Sequence, residues 1–448
     1  MLRLSWTQPE DLVPHALVAA DLDGRDVADA RARWGEAGGS TDAAVSGATS
    51  ERAPLELRAL ARGLMNDIDA TPLPESLAAS EPDELESMLA AAPGGWSGPA
   101  ETSDDRVLGA WLGRAAGCLL GKPVEKIPRA GIRAIAESTG NWPIAGYFTE
   151  IGLDADIAQR YPWNRRSRPT SLVENIDGMP EDDDLNFPLI ALDLLERVGH
   201  GFTTDDVAQS WLANLPGGRV FTAERVAYRN LLDGYEPDEA GTVGNPFQDW
   251  IGAQIRTDVY GWASPGKPET AARLAHADAR LSHSRNGLYG ACFAAAAASA
   301  AITATTIDDV IGAGLSVVPR GSRYAAAIER GAELARGGLD DEAAIDAVYA
   351  DYGHLHWVHV LNNAALLAFA LVRSEGDFSR AVTLAVSGGW DTDSTGATAG
   401  AVCGALAGAS ALPPAFIDPL HNRLASSVPG FDGIGFDDLA RRTRAVSA

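Results

Sequence analysis

From about residue 105 onward, apolar residues recur at three- and four-residue spacing, and the two-residue alternation of strands is nearly absent. The spacing predicts helices over Val107–Leu120, Leu185–Val198, Val207–Leu215, Phe221–Leu232, Glu269–Arg280 and Asn286–Ala304. It predicts further helices over Ser322–Arg336, Asp341–Tyr352, Val358–Leu371 and Phe378–Ser387. Thr204-Asp205-Asp206 is a helix-start signature ahead of Val207. The fold class read from this pattern is all-α.

The first hundred residues are less periodic. Asp26–Arg33 and Leu55–Met65 read as short helices, and the Gly-, Ser-, Ala- and Thr-rich stretch from 36 to 54 reads as a flexible loop. Ala92-Pro93-Gly94-Gly95-Trp96-Ser97-Gly98-Pro99 is a strong breaker. It divides the chain into an N-terminal helical extension, residues 1–100, and a main domain, residues 101–448, whose body begins near Asp105.

One pattern inside the main domain asks for a packing partner. Gly396, Gly400, Gly404 and Gly408 repeat every fourth position and would bare one face of a helix. Each glycine inside a helix costs roughly 1 kcal/mol against alanine. Close approach of a second helix would offset that cost, and Gly109, Gly113 and Gly117 have the same spacing. Crossing of these two helices would draw Glu125 and Asp391 toward one site.

Composition narrows the function classes. The chain has 448 residues, 46% of them hydrophobic, and a formal net charge of -25. So acidic a surface repels phosphate backbones and argues against nucleic-acid binding. Cys118, Cys292 and Cys403 have no metal-like spacing and read as buried thiols. The N-terminus lacks an apolar signal region, and no stretch is long and apolar enough to span a membrane. The expectation is a soluble cytoplasmic protein; its oligomeric state is not legible.

Two acidic clusters carry the chemistry. Asp182-Asp183-Asp184 precedes an apolar helical pattern, and Asp391-Thr392-Asp393-Ser394 precedes the glycine-rich one, more than two hundred positions later. Taken alone, the first cluster reads as a solvated acidic turn with Asp184 as helix cap. The second sits in an apolar, glycine-rich context, where carboxylates without cations would be pushed to neutrality. Together the five carboxylates form an oxygen-rich ligand set suited to hard divalent ions such as magnesium. Glu125 reads alone as an exposed glutamate beside Lys122 and Lys126, and His283 as a capping or core histidine. His354, His356 and His359 lie around Trp357 and read as a packed segment. No P-loop and no Gly-x-Ser-x-Gly elbow is present.

Three segments in order resemble the ADP-ribosylglycohydrolase family, which includes the dinitrogenase-reductase-activating glycohydrolases. They are Gly113-Arg114-Ala115-Ala116-Gly117-Cys118-Leu119-Leu120-Gly121-Lys122-Pro123-Val124-Glu125, then Asp182-Asp183-Asp184, then Gly389-Trp390-Asp391-Thr392-Asp393-Ser394. The resemblance covers roughly residues 106 to 410. It implies an all-α orthogonal helical bundle as the catalytic domain and hydrolysis of the glycosidic bond at the anomeric carbon of ADP-ribose. It implies two magnesium ions, with manganese as a substitute, held by Asp182, Asp183, Asp184, Asp391, Asp393 and Ser394. Catalytic roles fall on Glu125, Asp184 and Asp393. Substrate contacts are expected from Gly121, Arg256, His283, Asn286 and Trp390; Ile251–Gly261 looks like a divergent form of a family loop.

The chain also departs from the family pattern. Cys118 stands where Asp is usual, Asp182 and Leu185 replace threonines, Ser394 replaces Thr, and Trp390 replaces Gly. These changes mark a divergent branch and leave the substrate open: a protein-linked or small ADP-ribosyl compound, or a nucleoside-type riboside. A phosphohydrolase on the same ions and a non-catalytic ADP-ribose-binding relative are the other two readings.

Overall fold

The structure is a computed structural model and describes residues 3–447. Among these residues it holds 24 α-helices and no sheet. The helices named below are α1 (Pro9–Leu22), α2 (Ala28–Glu36), α3 (Leu55–Asp69), α4 (Asp104–Gly121) and α5 (Asp183–Val198). They continue with α6 (Arg285–Ala301), α7 (Arg323–Arg336), α8 (Val360–Ser374), α9 (Phe378–Ser387) and α10 (Thr392–Ala407). The all-α expectation holds. Asp341–Tyr352 and Phe378–Ser387 match the bounds read from the sequence, and the other ten predicted helices shift by a few residues at one or both ends.

Every residue of α6 is buried. Its run of alanines leaves no polar face, as expected of a helix enclosed on all sides. It is the axis of the main core, packed by Pro268–Ala279, Asp258–Trp262 and Ile307–Leu315. Among the described residues no helix is long and apolar enough to cross a membrane.

α4 and α10 run antiparallel in backbone contact. A methyl group built on Gly109, Gly113 or Gly117 would collide with the carbonyl oxygen of Gly404, Gly400 or Gly396 respectively. The collisions are reciprocal, so the absence of side chains is what permits the seam. Gly408 is not part of that ridge. It lies just past the end of α10 with φ +79, where a left-handed residue ends the helix. At the other end, Thr392 Oγ1 donates to the Gly121 carbonyl at 2.9 Å. This bond pins the start of α10 against the end of α4.

The N-terminal helices α1–α3 form a smaller core around Trp6, Leu17, Trp34 and Leu64, which also takes in Phe247, Trp250 and Ile251 of the main body. The loop from 37 to 54 is irregular, yet it is held. Gly47 accepts from the Trp6 backbone at 2.7 Å, and Asp11 accepts from the Thr49 hydroxyl at 2.7 Å. Asp23, Glu81 and Asp83 then reach the ends of α6 and α7. Arg285 pairs with Asp23 at 2.7 Å and Asp249 at 2.6 Å, and Arg323 pairs with Asp23 at 3.0 Å and Glu81 at 2.8 Å.

Candidate metal centre and substrate cavity

The α4–α10 seam ends at the site. A short 3-10 turn, Lys122–Val124, carries the chain off α4 and delivers Glu125, while Asp391 and Asp393 open α10. One carboxylate oxygen from each of Glu125, Asp391 and Asp393 lies within 4.8 Å of the others. A second group brings Cys118, Asp182 and Asp184 together within the same limit. α5 contributes this group through its first turn. Asp182, not Asp184, is its N-cap, accepting from the Asp184 backbone N–H at 2.9 Å. That frees the Asp184 side chain to turn inward.

The carboxylates of both groups line one cavity of about 580 Å³, inside the range of roughly 300–1,000 Å³ for small-molecule sites. Asp183 and Ser394 line it as well. The Ser394 hydroxyl donates to Asp184 Oδ2 at 3.3 Å, joining the two groups. Asp184, Asp391 and Asp393 are buried.

The electrostatics divide the cluster. Burial, then Asp393, Glu125 and Asp184, push the Asp391 carboxyl far above the usual range. Burial, then Glu125 and Asp182, push Asp393 up to about 7. Burial and the neighbouring carboxylates also raise Asp183 and Asp184. Asp182 goes the other way: burial would raise it, but the adjacent Lys122 ammonium holds it below the usual value. Burial raises the Cys118 thiol well above its usual range, so it stays protonated.

A divalent cation fits this donor set. Glu125, Asp391 and Asp393 offer only oxygen, which hard ions prefer. Asp184 Oδ1 is buried without a hydrogen-bond partner, which protein interiors rarely tolerate unless something else satisfies the atom.

Five residues expected to touch substrate are placed elsewhere, and each has another task. Arg256 is buried on Glu224 at 2.8 Å and Asp278 at 2.5 Å, holding the loop from below. His283 is buried beside Ser282, its Nδ1 at 2.7 Å from the hydroxyl, and burial pushes it far below its usual value. Asn286 joins the N-terminal extension to α6 through Glu81 at 2.9 Å. Trp390 takes φ +62 and stacks on Tyr349 with ring centroids 4.1 Å apart, outside the cavity lining. Gly121 serves packing, because a Cβ there would strike the Thr392 carbonyl.

Other residues shape the site without a signal in the motifs. Asn164 donates to Glu125 Oε2 at 2.5 Å and fixes its orientation. Arg114, buried in the middle of α4, donates to the Asp184 carbonyl at 2.7 Å and to Asp258 at 2.7 Å. An arginine inside an apolar helical run is itself a signal of a buried acidic partner. Lys126, Arg165, Arg166 and Arg219 make a basic rim, while Phe221 and Trp357 add aromatic surface. Ser5, Trp6 and Ser46 bring the N-terminal extension into the wall.

The family model described as ADP-ribosylglycohydrolase matches residues 99–446, more than three quarters of the chain. The chain belongs to the ADP-ribosylglycohydrolase family and is a glycosidase, a hydrolase of glycosidic bonds. A solved structure described as "ADP-ribosylglycohydrolase-related protein complex" is similar at 21% identity over 77% of this chain and 99% of that chain, with a TM-score of 0.49. No curated protein matches the chain significantly.

Proposed function

We propose that this protein is a magnesium-dependent hydrolase that cleaves the bond at the anomeric carbon of an ADP-ribosyl group. The observation that carries this reading is the convergence of Glu125, Asp391 and Asp393 within 4.8 Å, in a cavity of the matched family region. A bound divalent ion supplies charge neutralisation and a more acidic water.

The protein's own groups do the rest. Glu125 is partly exposed to the cavity and is held by Asn164 and by Lys126 at 3.1 Å. It is placed to take a proton from the water that attacks the anomeric carbon. Asp393, whose carboxylate lies beside that of Glu125, is the second candidate base. Asp184, braced by Arg114, and Ser394 line the polar floor against the ribose hydroxyls. The basic rim suits a diphosphate, although the chain as a whole is strongly acidic. Fixed orientation of sugar and water accounts for much of the expected rate gain.

The test is turnover of ADP-ribosyl-arginine, an ADP-ribosylated serine peptide, ADP-ribose 1″-phosphate and simple ribosides, each with magnesium and with chelator. Magnesium-dependent release of ADP-ribose is expected, and Asp391→Ala should abolish it. Turnover confined to ribosides, or release of inorganic phosphate from phosphate monoesters that carry no ADP-ribose, would contradict the ADP-ribosyl reading.

A further inference from the structure

The turn that delivers Asp391 takes a sterically costly backbone course. Gly388–Asp391 joins α9 to α10. Two of its residues lie in the left-handed region, Gly389 at φ +82 and Trp390 at φ +62. Glycine adopts that region freely, but a residue with a Cβ meets a steric cost there. Trp390 is buried and lies outside the cavity lining, so substrate contact does not account for its conformation.

The group that meets this turn comes from a helix outside all the acidic motifs. Tyr349 belongs to the helix Asp341–Tyr352. Its ring stacks on Trp390 with centroids 4.1 Å apart and planes 17° apart. Its hydroxyl donates to the Gly388 carbonyl at 2.8 Å. We propose that Tyr349 is a positioning residue of the metal centre: it holds Trp390 in the left-handed region and thereby keeps Asp391 in register with Glu125 and Asp393. This rests on the metal-dependent reading of the same carboxylates.

The two ends of the turn are fixed separately. Gly388 and Gly389 close onto α9 through the Leu384 and Val386 carbonyls, each at 3.1 Å. On the other side the Asp391 carbonyl accepts from the Thr395 hydroxyl at 2.8 Å, and Thr392 is tied to Gly121. Trp390 is the link between these parts, and its φ sets how they meet. Asp391 has little hold of its own. Its side chain makes no capping bond, and its backbone N–H meets Asn363 Oδ1 at 3.3 Å, a long hydrogen bond. Movement of Trp390 to an ordinary negative φ would rotate the peptide that leads into Asp391 and carry its carboxylate away from the other two. The stack and the hydroxyl bond both oppose that movement. Tyr349 is itself steadied by Arg129, whose guanidinium lies 5.9 Å from the ring centroid and pairs with Glu342 of the same helix at 2.7 Å.

The experiment is the Mn2+ affinity of the full chain, measured by calorimetry below the melting temperature of each variant. Tyr349→Leu removes ring and hydroxyl and should weaken Mn2+ binding about tenfold or more, the range for groups that orient metal ligands. Tyr349→Phe keeps the stack and should lose less. In a Trp390→Gly background the same Tyr349→Leu change should lose little, because glycine takes φ +62 without the steric cost. A purely structural role would lower the melting temperature and leave the affinity alone. Unmoved affinity in folded Tyr349→Leu, or an equal loss in the glycine background, would overturn the inference and leave the metal-dependent reading in place. No Mn2+ bound by the unaltered protein would overturn both. If the glycine variants fail to fold, the other two still decide: the larger loss must come from leucine, and equal losses would overturn the inference.

Discussion

Two seams hold this molecule together, and they work by opposite means. Between α4 and α10 there are almost no side chains: backbone meets backbone through Gly109, Gly113, Gly117, Gly396, Gly400 and Gly404. Between the N-terminal extension and the body, large side chains meet: Trp6 packs on Phe247 and Trp250, and Asp23 and Glu81 pair with Arg285 and Arg323. The first seam sets the position of Glu125 against Asp391. The second carries Ser5, Trp6 and Ser46 to the opposite wall. Backbone packing fixes the reacting groups, and aromatic packing with ion pairs fixes the enclosure.

The sharpest way to break the comparison is at the glycine seam. Gly113→Val places a branched side chain against the Gly400 carbonyl, with no flexible neighbour to yield. Overpacking typically costs about 1–3 kcal/mol, and a backbone that cannot yield puts this change at the top of that range. Loss of soluble protein, or a large fall in the urea midpoint, is the expected result.

The charged seam should yield less to a single change. Asp23→Ala leaves Arg285 with Asp249 and Arg323 with Glu81. The expected loss is about 1.5–3 kcal/mol, the range for hydrogen bonds to charged groups. Because this pair of contacts ties the extension to the starts of α6 and α7, local protease sensitivity of the extension should rise before global unfolding does.

A pH series probes the site that the first seam assembles. In the ion-free protein Asp393 binds its proton more tightly when folded, at about 7, than the ordinary carboxyl value of 3.8. The folded state then holds more protons than the unfolded chain between those values, so stability falls as pH rises through that window. A divalent ion replaces the proton, so magnesium should raise the melting temperature more at pH 7 than at pH 5. A magnesium effect of equal size at both pH values would contradict the assigned ligands. The smallest effect is expected at the exposed edge of the charged seam. Arg273→Ala removes a pair with Glu86 that is open to water; solvent screens such pairs, and the melting temperature should barely move.

The comparison also explains what was legible in the sequence. Periodic helices and the glycine ridge were readable because their signals are local and repeated. α1 escaped notice because Pro9 and Pro14 interrupt it, although Pro9 stands at the helix start, where proline is tolerated. The acidic clusters were visible as composition. Their division was not, because Lys122 meets Asp182 only after a separation of 60 residues. Arg256 and His283 were assigned to substrate by motif, and a motif does not tell which way a side chain turns. Both turn into the core, where Glu224 lies near them. The role of Ser5, Trp6 and Ser46 in the cavity wall left no trace in the composition of the extension.

The most direct measurement of the central claim is the position of the ion. Crystals of the full chain soaked in manganese should show an anomalous peak among the carboxylates of Glu125, Asp391 and Asp393. No peak there at saturating manganese, or a peak only at some other place in the molecule, would contradict the account.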